Sequence, residues 1–146
     1  MINVKRLEKY TPETAQRIRE LLIQLSRSGK DHGEIPESWF CDVINSPWHD
    51  LLVAEEDGRI IGVACMTVMM GPCIGKNAYL EDFVVDANIR AKGVGSMLWE
   101  EMLKWAEEKG CKRLEFTCGN GRETAQRFYK NHGAEIYDTN FFRKEI

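Results

Sequence analysis

The sequence predicts a mixed α/β (α+β) domain spanning residues 1–146, with elements in the order β-α-α-β-β-β-α-β-α-β-β. Three observations carry this prediction. Residues 51–64 hold a hairpin: Leu51-Leu52-Val53-Ala54, a two-residue Asp57-Gly58 turn, and the return run Ile60-Ile61-Gly62-Val63-Ala64. From Ala78 to Glu107 an apolar strand-like run passes through a basic, glycine-bearing loop into a helical repeat. Elsewhere apolar residues recur at helical spacing between strand-like runs, so the two periods alternate along the chain.

Taken in order, residues 2–9 alternate loosely (Ile2, Val4, Leu7) and read as an edge strand. Thr11-Pro12 supplies an N-cap followed by proline at the first helical position. Ala15, Ile18, Leu22 and Leu25 form one helical stripe, stopped at Ser28-Gly29. A polar loop over 29–36 carries Lys30, Asp31, His32 and Glu34. A short helix follows Pro36, with Trp39, Phe40, Val43 and Ile44 on one side, and Asn45-Ser46-Pro47 ends it. Stripe position favours both aromatics as core anchors over pocket-lining groups. The return strand of the hairpin continues to Met70, and Met66, Met69 and Met70 read as core filling. Gly71 to Gly75 breaks the chain before the central strand. Phe83, Val84 and Val85 leave that strand no polar face, which predicts burial on both sides. Val94, Leu98, Met102 and Trp105 share a helix face, and Gly110 is the expected C-terminal glycine. Arg113 to Cys118 reads as a strand. Asn120, with Glu123 three residues later, resembles a capping box opening a helix that ends at Gly133. The tail from Ala134 is expected to form two short strands around Asp138-Thr139-Asn140.

Composition narrows the function. Apolar content of 43% with 29% charged residues is ordinary for a globular chain of 146 residues. A net charge of −3 gives no footprint for nucleic acid or a membrane surface. No run approaches the ~18 apolar residues of a spanning helix, and no signal-peptide core is present at the start. Five cysteines, an odd number with no C-x-x-C pair, point to a reducing, cytoplasmic setting. His32, His49 and His132 show no metal-ligand spacing, so no metal is expected.

The loop after the central strand is where the chemistry concentrates. Asp86-Ala87-Asn88-Ile89-Arg90-Ala91-Lys92-Gly93-Val94-Gly95 lies between a strand and a helix. Glycines let backbone amides approach a ligand, and a helix start carries about half a positive charge. Arg90 and Lys92 add full charges that a diphosphate could use. A Walker loop requires Lys-Ser/Thr after its last glycine, but Gly95 is followed by Ser96-Met97. A dinucleotide fingerprint requires a small residue where Leu98 stands.

Arg90-x-x-Gly93-x-Gly95 after a strand instead resembles the acyl-CoA pyrophosphate loop of the GNAT N-acetyltransferase superfamily. Leu80-Glu81-Asp82-Phe83-Val84-Val85-Asp86 is similar to that family's central strand. Ala125-x-x-Phe128-Tyr129-x-x-x-Gly133-Ala134 resembles its last helix, with Ala134 where a phenylalanine is usual. The likeness covers residues 50 to 146 well and the N-terminal fifty only in layout.

The resemblance implies a mostly antiparallel central sheet flanked by helices, and acetyl-CoA as co-substrate. It implies a pantetheine arm paired with the backbone of Phe83, Val84 and Val85, and a pyrophosphate held by Arg90, Ala91, Lys92, Gly93, Val94, Gly95 and Ser96. It adds Asn120 as a further cofactor contact, a position its capping role explains equally well, and Phe128 of the last-helix motif, which its spacing from Ala125 also suits to the core. Arg122 and Lys130 are further cations for the cofactor's other phosphate on charge and location. The acceptor would be a primary amine of a small metabolite, attacking the thioester directly. A lysine-type amine has a pKa near 10.4, so roughly one in 10³ is free at pH 7 and a base is needed. Glu81 and Asp82 are the candidate bases, with Glu81 preferred, and alternation along a strand lets only one of them reach the acceptor. Tyr129 is placed as the acid toward the departing sulfur. Exposed sheet edges at the terminal strands imply a homodimer. A non-catalytic acyl-CoA-binding regulator, or an acetyltransferase of protein N-termini or lysines, fits the same motifs.

Overall fold

Strand and helix propensities agree with the observed elements over most of the chain. A computed structural model describes every residue except Arg27, Arg90 and Ala91. The elements are β1 (Ile2–Arg6), α1 (Pro12–Leu25), α2 (Glu37–Ile44), β2 (His49–Glu56), β3 (Arg59–Gly71), β4 (Gly75–Val85), a 3₁₀ turn (Ala87–Ile89), α3 (Val94–Glu108), β5 (Leu114–Glu115) and α4 (Glu123–Asn131). They fall in two units, Met1–Phe116 and Thr117–Ile146. Among the described residues, no helix is long and apolar enough to cross a membrane.

In the first unit the sheet runs β1-β2-β3-β4-β5, antiparallel except for β5, which lies parallel to β4. The expected mostly antiparallel sheet flanked by helices is therefore formed. Leu51 and Val53 of β2 join Val63 of β3 and Val84 of β4 in one cluster with Ala15, Ile18 and Leu21 of α1 and Phe40 of α2. Leu52 and Ala54, the alternate residues of β2, are fully buried outside that cluster, and α3 packs on β1 to β4. The α3 stripe read from sequence is the buried one: Val94, Leu98, Met102 and Trp105 are at most 2% exposed. Each buried side chain of this size contributes about 1.5–3 kcal/mol of transfer free energy. Gly62 is where α3 comes closest to the sheet, since a Cβ there would meet Leu98 Cδ1 at 2.8 Å.

Helix ends follow their sequence signals in α1 and α3. Thr11 Oγ1 accepts from the Thr14 amide at 3.1 Å, and Gly110 adopts φ +75° just past the α3 C-cap. The last helix departs from expectation. It starts at Glu123, and its N-cap position makes no side-chain cap bond, so the Asn120 capping box is not formed. Gln126 Nε2 instead donates to the carbonyls of Gly119 and Asn120, both at 3.0 Å. Three further expectations are corrected. The strand expected over 113–118 is reduced to Leu114–Glu115. The two terminal strands are not formed: residues 134–146 carry neither helix nor strand, and Ile136, Tyr137, Phe141 and Phe142 are exposed. Short segments split by a polar turn cannot hold a two-stranded hairpin by themselves. Phe83 and Val85 are half-buried where the sequence predicts full burial, because the β4–β5 ladder covers only Ala78 and Tyr79.

One ion pair fastens α1 to the root of the glycine loop. Arg17 Nη2 donates to Asp86 Oδ2 at 2.5 Å while its Nε donates to the Ile60 carbonyl at 2.8 Å. The Asp86 carboxylate also accepts from the backbone and side-chain nitrogens of Asn88, at 3.0 and 3.1 Å. Gln24 Oε1 accepts from the Ala87 amide at 2.9 Å. Burial opposes ionisation of Asp86, but these donors outweigh it and hold its pKa below the ordinary value. Arg17→Met strands a buried carboxylate and is expected to cost about 3–5 kcal/mol in urea unfolding at pH 7. A depressed carboxylate contributes stability above its unfolded pKa near 3.9 and loses it as the pH falls through its lower folded value. The gap between wild type and variant should therefore close in acid below about pH 4; a gap that persists there would refute the ion-pair assignment.

Candidate active site

The site is built on an irregularity in β4. Ala64 lies opposite Phe83 and Met66 opposite Leu80, so Cys65 alone faces both Glu81 and Asp82. This is a β-bulge: one extra residue on β4. Two acidic residues in an apolar strand are tolerable there because the bulge withdraws them from the regular ladder. It also alters the alternation assumed from sequence. Glu81 is exposed, whereas Asp82 is half-buried and lines a cavity of about 580 Å³.

The cavity is walled by Ile18, Leu22 and Leu25 of α1, Trp39, Phe40 and Val43 of α2, and Leu51, Val63 and Cys65 of the sheet. The loop between the helices adds His32 and Ile35. Arg19 holds that loop in a two-pronged bond to Asp31, Nε to Oδ1 at 2.9 Å and Nη2 to Oδ2 at 2.7 Å. Those bonds, with one from the Gly33 amide, lower the Asp31 pKa to about 2. The two aromatics of α2 divide their roles. Phe40 is 2% exposed and meets Tyr10 edge-on at 5.3 Å, as a core anchor, while Trp39 is 68% exposed at the cavity rim. Met66 is core, as expected, and Met70 is exposed.

Two groups in the cavity have displaced protonation. Burial raises the Asp82 pKa, partly offset by the charge of His32. Burial, then the charges of Asp82, Glu81 and Asp50, pushes the Cys65 thiol up to about 12. Cys65 is therefore a neutral wall and no nucleophile at physiological pH. A partly desolvated carboxylate in a concave, largely apolar site has the character of a general base.

Beyond Asp82 the strand leads to the glycine loop. The β4–β5 ladder ends at Tyr79, and Phe83, Val84 and Val85 lie past it. Gly93 is the N-cap of α3 at φ +75°, with no described residue within 4 Å of where a Cβ would stand. The amides of Val94, Gly95 and Ser96 follow it in the first turn, where the helix dipole favours an anion. Open space over a left-handed glycine at a helix start fits a diphosphate. Lys92 Nζ pairs with Glu56 Oε2 at 3.0 Å on the surface. Arg90 and Ala91 lie outside the described residues. Among the described residues no cluster of three or more His, Cys, Asp or Glu could hold a metal ion.

The second unit carries the remaining candidates. Phe128 and Tyr129 meet edge-on at 5.6 Å, and Phe128 also stacks on His132 at 4.0 Å. Burial, then the charge of Cys118, raises the Tyr129 pKa to about 12, against a smaller opposing effect of Arg122. Tyr129 thus keeps its proton at neutral pH. Asn120 and Arg122 stand just before α4, in the turn that Gln126 closes. The family resemblance implies that α1, α2 and the loop between them close over the acceptor and that the central strand carries a bulge, and the cavity walls and the β4 irregularity lie at those places. In the residues themselves, the signals were the apolar stripes of α1 and α2 and the Glu81-Asp82 pair inside an apolar run.

Residues 15–134 match the family model described as acetyltransferase (GNAT) family. The chain belongs to that family. It is 28% identical over 98 residues to the thialysine N-epsilon-acetyltransferase of Bos taurus, a match covering 62% of this chain and 58% of that protein. It is 33% identical over 78 residues to a protein of Oryza sativa subsp. japonica named "Probable glucosamine 6-phosphate N-acetyltransferase 2", covering 48% of this chain and 46% of the other. The matches thus span less than two thirds of these relatives. An aminoglycoside acetyltransferase from an uncultured soil metagenomic sample, crystallised with trehalose, shares the fold with TM-score 0.83 at 23% identity, over 99% of this chain and 97% of that one.

A raised carboxyl pKa makes Asp82 a destabilising group when ionised. Its folded form binds a proton more tightly than the unfolded chain, so folding is favoured as the pH falls through the raised value toward 3.9. Asp82→Asn is expected to unfold at higher urea than wild type at pH 7, with the difference narrowing in acid. A variant less stable than wild type at pH 7 would contradict the desolvation of Asp82.

Proposed function

We propose that the protein transfers the acetyl group of acetyl-CoA to the primary amine of a small metabolite, with Asp82 as the base and Tyr129 as the hydrogen-bond donor to the departing sulfur. The observation that carries this reading is the half-buried Asp82 carboxylate at the β4 bulge, facing the 580 Å³ cavity just ahead of the glycine loop. Acetyl-CoA, when bound, supplies an acetyl group activated as a thioester. The amides after Gly93 would hold its diphosphate, and the β4 backbone past Tyr79 would align its arm. Arg90, Lys92, Asn120, Arg122 and Phe128 belong to the same proposed contact set.

Asp82 Oδ atoms accept the ammonium proton of the acceptor, directly or through one water, leaving a neutral nitrogen to attack. The elevated Asp82 pKa brings it closer to the proton affinity of the amine and so improves it as a base. Glu81 shares the bulge but is exposed, and in this reading it adds negative potential without touching the acceptor. The Tyr129 hydroxyl keeps its proton at neutral pH and can donate a hydrogen bond to the departing sulfur; its raised pKa makes it a weaker acid than a thiol, so water supplies the proton in the end. A homodimer belongs to the same proposal, supported by the exposed apolar tail, whose Phe142 is 88% exposed.

Incubation with acetyl-CoA and a panel of primary amines should release free thiol. Asp82→Asn should lower kcat by about 10²–10⁴-fold and Glu81→Gln by far less. Tyr129→Phe should lower kcat while leaving acetyl-CoA affinity in calorimetry nearly unchanged. Full activity of Asp82→Asn would remove it as the base; absence of any heat with CoA would reject the reading. In sedimentation equilibrium the full chain should run as a dimer, and a chain ending at residue 134 as a monomer.

A further inference from the structure

The walls of the cavity say more about the acceptor than the family does. Asp82 is its sole acidic lining group, and the other polar contributions are Ser26, His32 and the neutral Cys65 thiol. No Arg or Lys lines it among the described residues. Every other described residue facing the space is aliphatic or aromatic, with the Trp39 indole at the rim. A volume of about 580 Å³ lies in the range of sites for small organic ligands. A second cavity, of about 60 Å³ behind Asp31 and Arg19, has room for little more than water.

Each of the three obvious kinds of amine makes a different demand on such a space. A phosphorylated amino sugar brings a dianion that needs cations and a ring of hydroxyls that need hydrogen-bond partners. A polyamine or aminoglycoside brings several ammonium groups and needs several carboxylates, where this cavity offers one. An apolar amine needs one carboxylate and a dry wall. The first two would leave their polar groups unpaired against Ile18, Leu22, Ile35 and Val43, at the cost that attaches to any buried polar group without a partner.

Building on the acetyl-transfer reading, we propose that the acceptor is a monoamine on an apolar body, an arylalkylamine or alkylamine. Its ammonium group lies against Asp82 and its body fills the space between α1, α2 and the β2–β3 surface. Trp39 covers the outer end of that body. The Asp82–ammonium pair fixes the orientation, presenting the nitrogen beside β4 and the apolar portion toward the helices. Selectivity then comes from the walls: each methylene buried should improve binding about fourfold until the space is full.

The test uses the full chain, phenethylamine and the n-alkylamines from propyl to hexyl, with glucosamine 6-phosphate and spermidine as hydrophilic rivals. Binding is read by calorimetry without acetyl-CoA, and transfer by thiol release with it. Phenethylamine and the longer alkylamines should bind, with the fourfold step per methylene in Kd and in kcat/KM. Trp39→Ala should weaken phenethylamine by about two- to twelvefold, leaving the KM for acetyl-CoA and the thermal transition unmoved, since Trp39 is largely exposed. Thiol release with the hydrophilic amines alone, or affinity that ignores chain length, overturns the apolar acceptor and leaves acetyl transfer standing. Apolar amines that bind with the methylene dependence but release no thiol in any mixture uphold the ligand class and overturn the transfer reading. No binding of any apolar amine overturns the inference outright.

Discussion

The bulge at Glu81-Asp82 is the constraint on which the site depends. Residues directly opposite one another in a ladder share a face. Val84 therefore goes with Val63 toward α1 and α2, while Leu80 goes with Met66 to the opposite side. In an unbroken strand Leu80 and Val84, four apart, would face the same way. One inserted residue reverses the sidedness of β4 midway. Its first half serves the α3 face and its last residues complete the cluster under α1. The reversal falls at two carboxylates, and it turns one of them into the cavity. A regular strand that kept Leu80 on its present side would have turned both Asp82 and Val84 to that side, away from the cavity and from the cluster under α1.

Asp82 and Asp86 stand four residues apart and are treated in opposite ways. Asp86 is 1% exposed, yet Arg17 and Asn88 supply enough donors to keep it ionised below its ordinary pKa. Asp82 is less buried but less compensated, with only the charge of His32 acting against its desolvation. The first pattern is that of a structural clamp, satisfied on all sides and anchoring the glycine loop to α1. The second is that of a group left short of partners so that something else can pair with it. Satisfaction of the hydrogen-bond set, more than depth of burial, separates scaffold from site in this stretch.

Much of this was legible in the residues, and what was not has a common cause. The 57–58 turn, the α3 stripe, the Thr11 cap and the loop at Gly93 are local signals, and each appears where spacing put it. The bulge is a relation between β3 and β4, and no window of one strand contains it. Strict alternation let only one of Glu81 and Asp82 reach a given side, with no means of saying which, and it is Asp82 that lines the cavity. Arg17–Asp86 joins residues 69 positions apart, again beyond any local pattern. Asn120 failed in the other direction: a plausible local cap lost to Gln126, which satisfies the same turn through its carbonyls. The tail had strand-like composition without a ladder partner, and composition alone does not make a strand.

The breadth of acceptors named among similar proteins bears on where specificity must reside. Thialysine, a glucosamine phosphate and aminoglycosides differ in charge, size and polarity, yet the names attach to chains sharing this family or fold. A shared fold cannot be what tells such acceptors apart. Discrimination has to come from surfaces facing the acceptor, and in the proposed reading those are α1, α2 and the 29–36 loop. They line the cavity mostly with aliphatic and aromatic side chains, opposite Asp82 of β4, and Phe40 of α2 is buried against Tyr10. A rigid apolar wall rejects polar acceptors by leaving their hydroxyls and phosphates without partners, which discriminates more strongly than a missing methylene does. Selection by exclusion would therefore need no acceptor-specific hydrogen bond beyond the one proposed for Asp82.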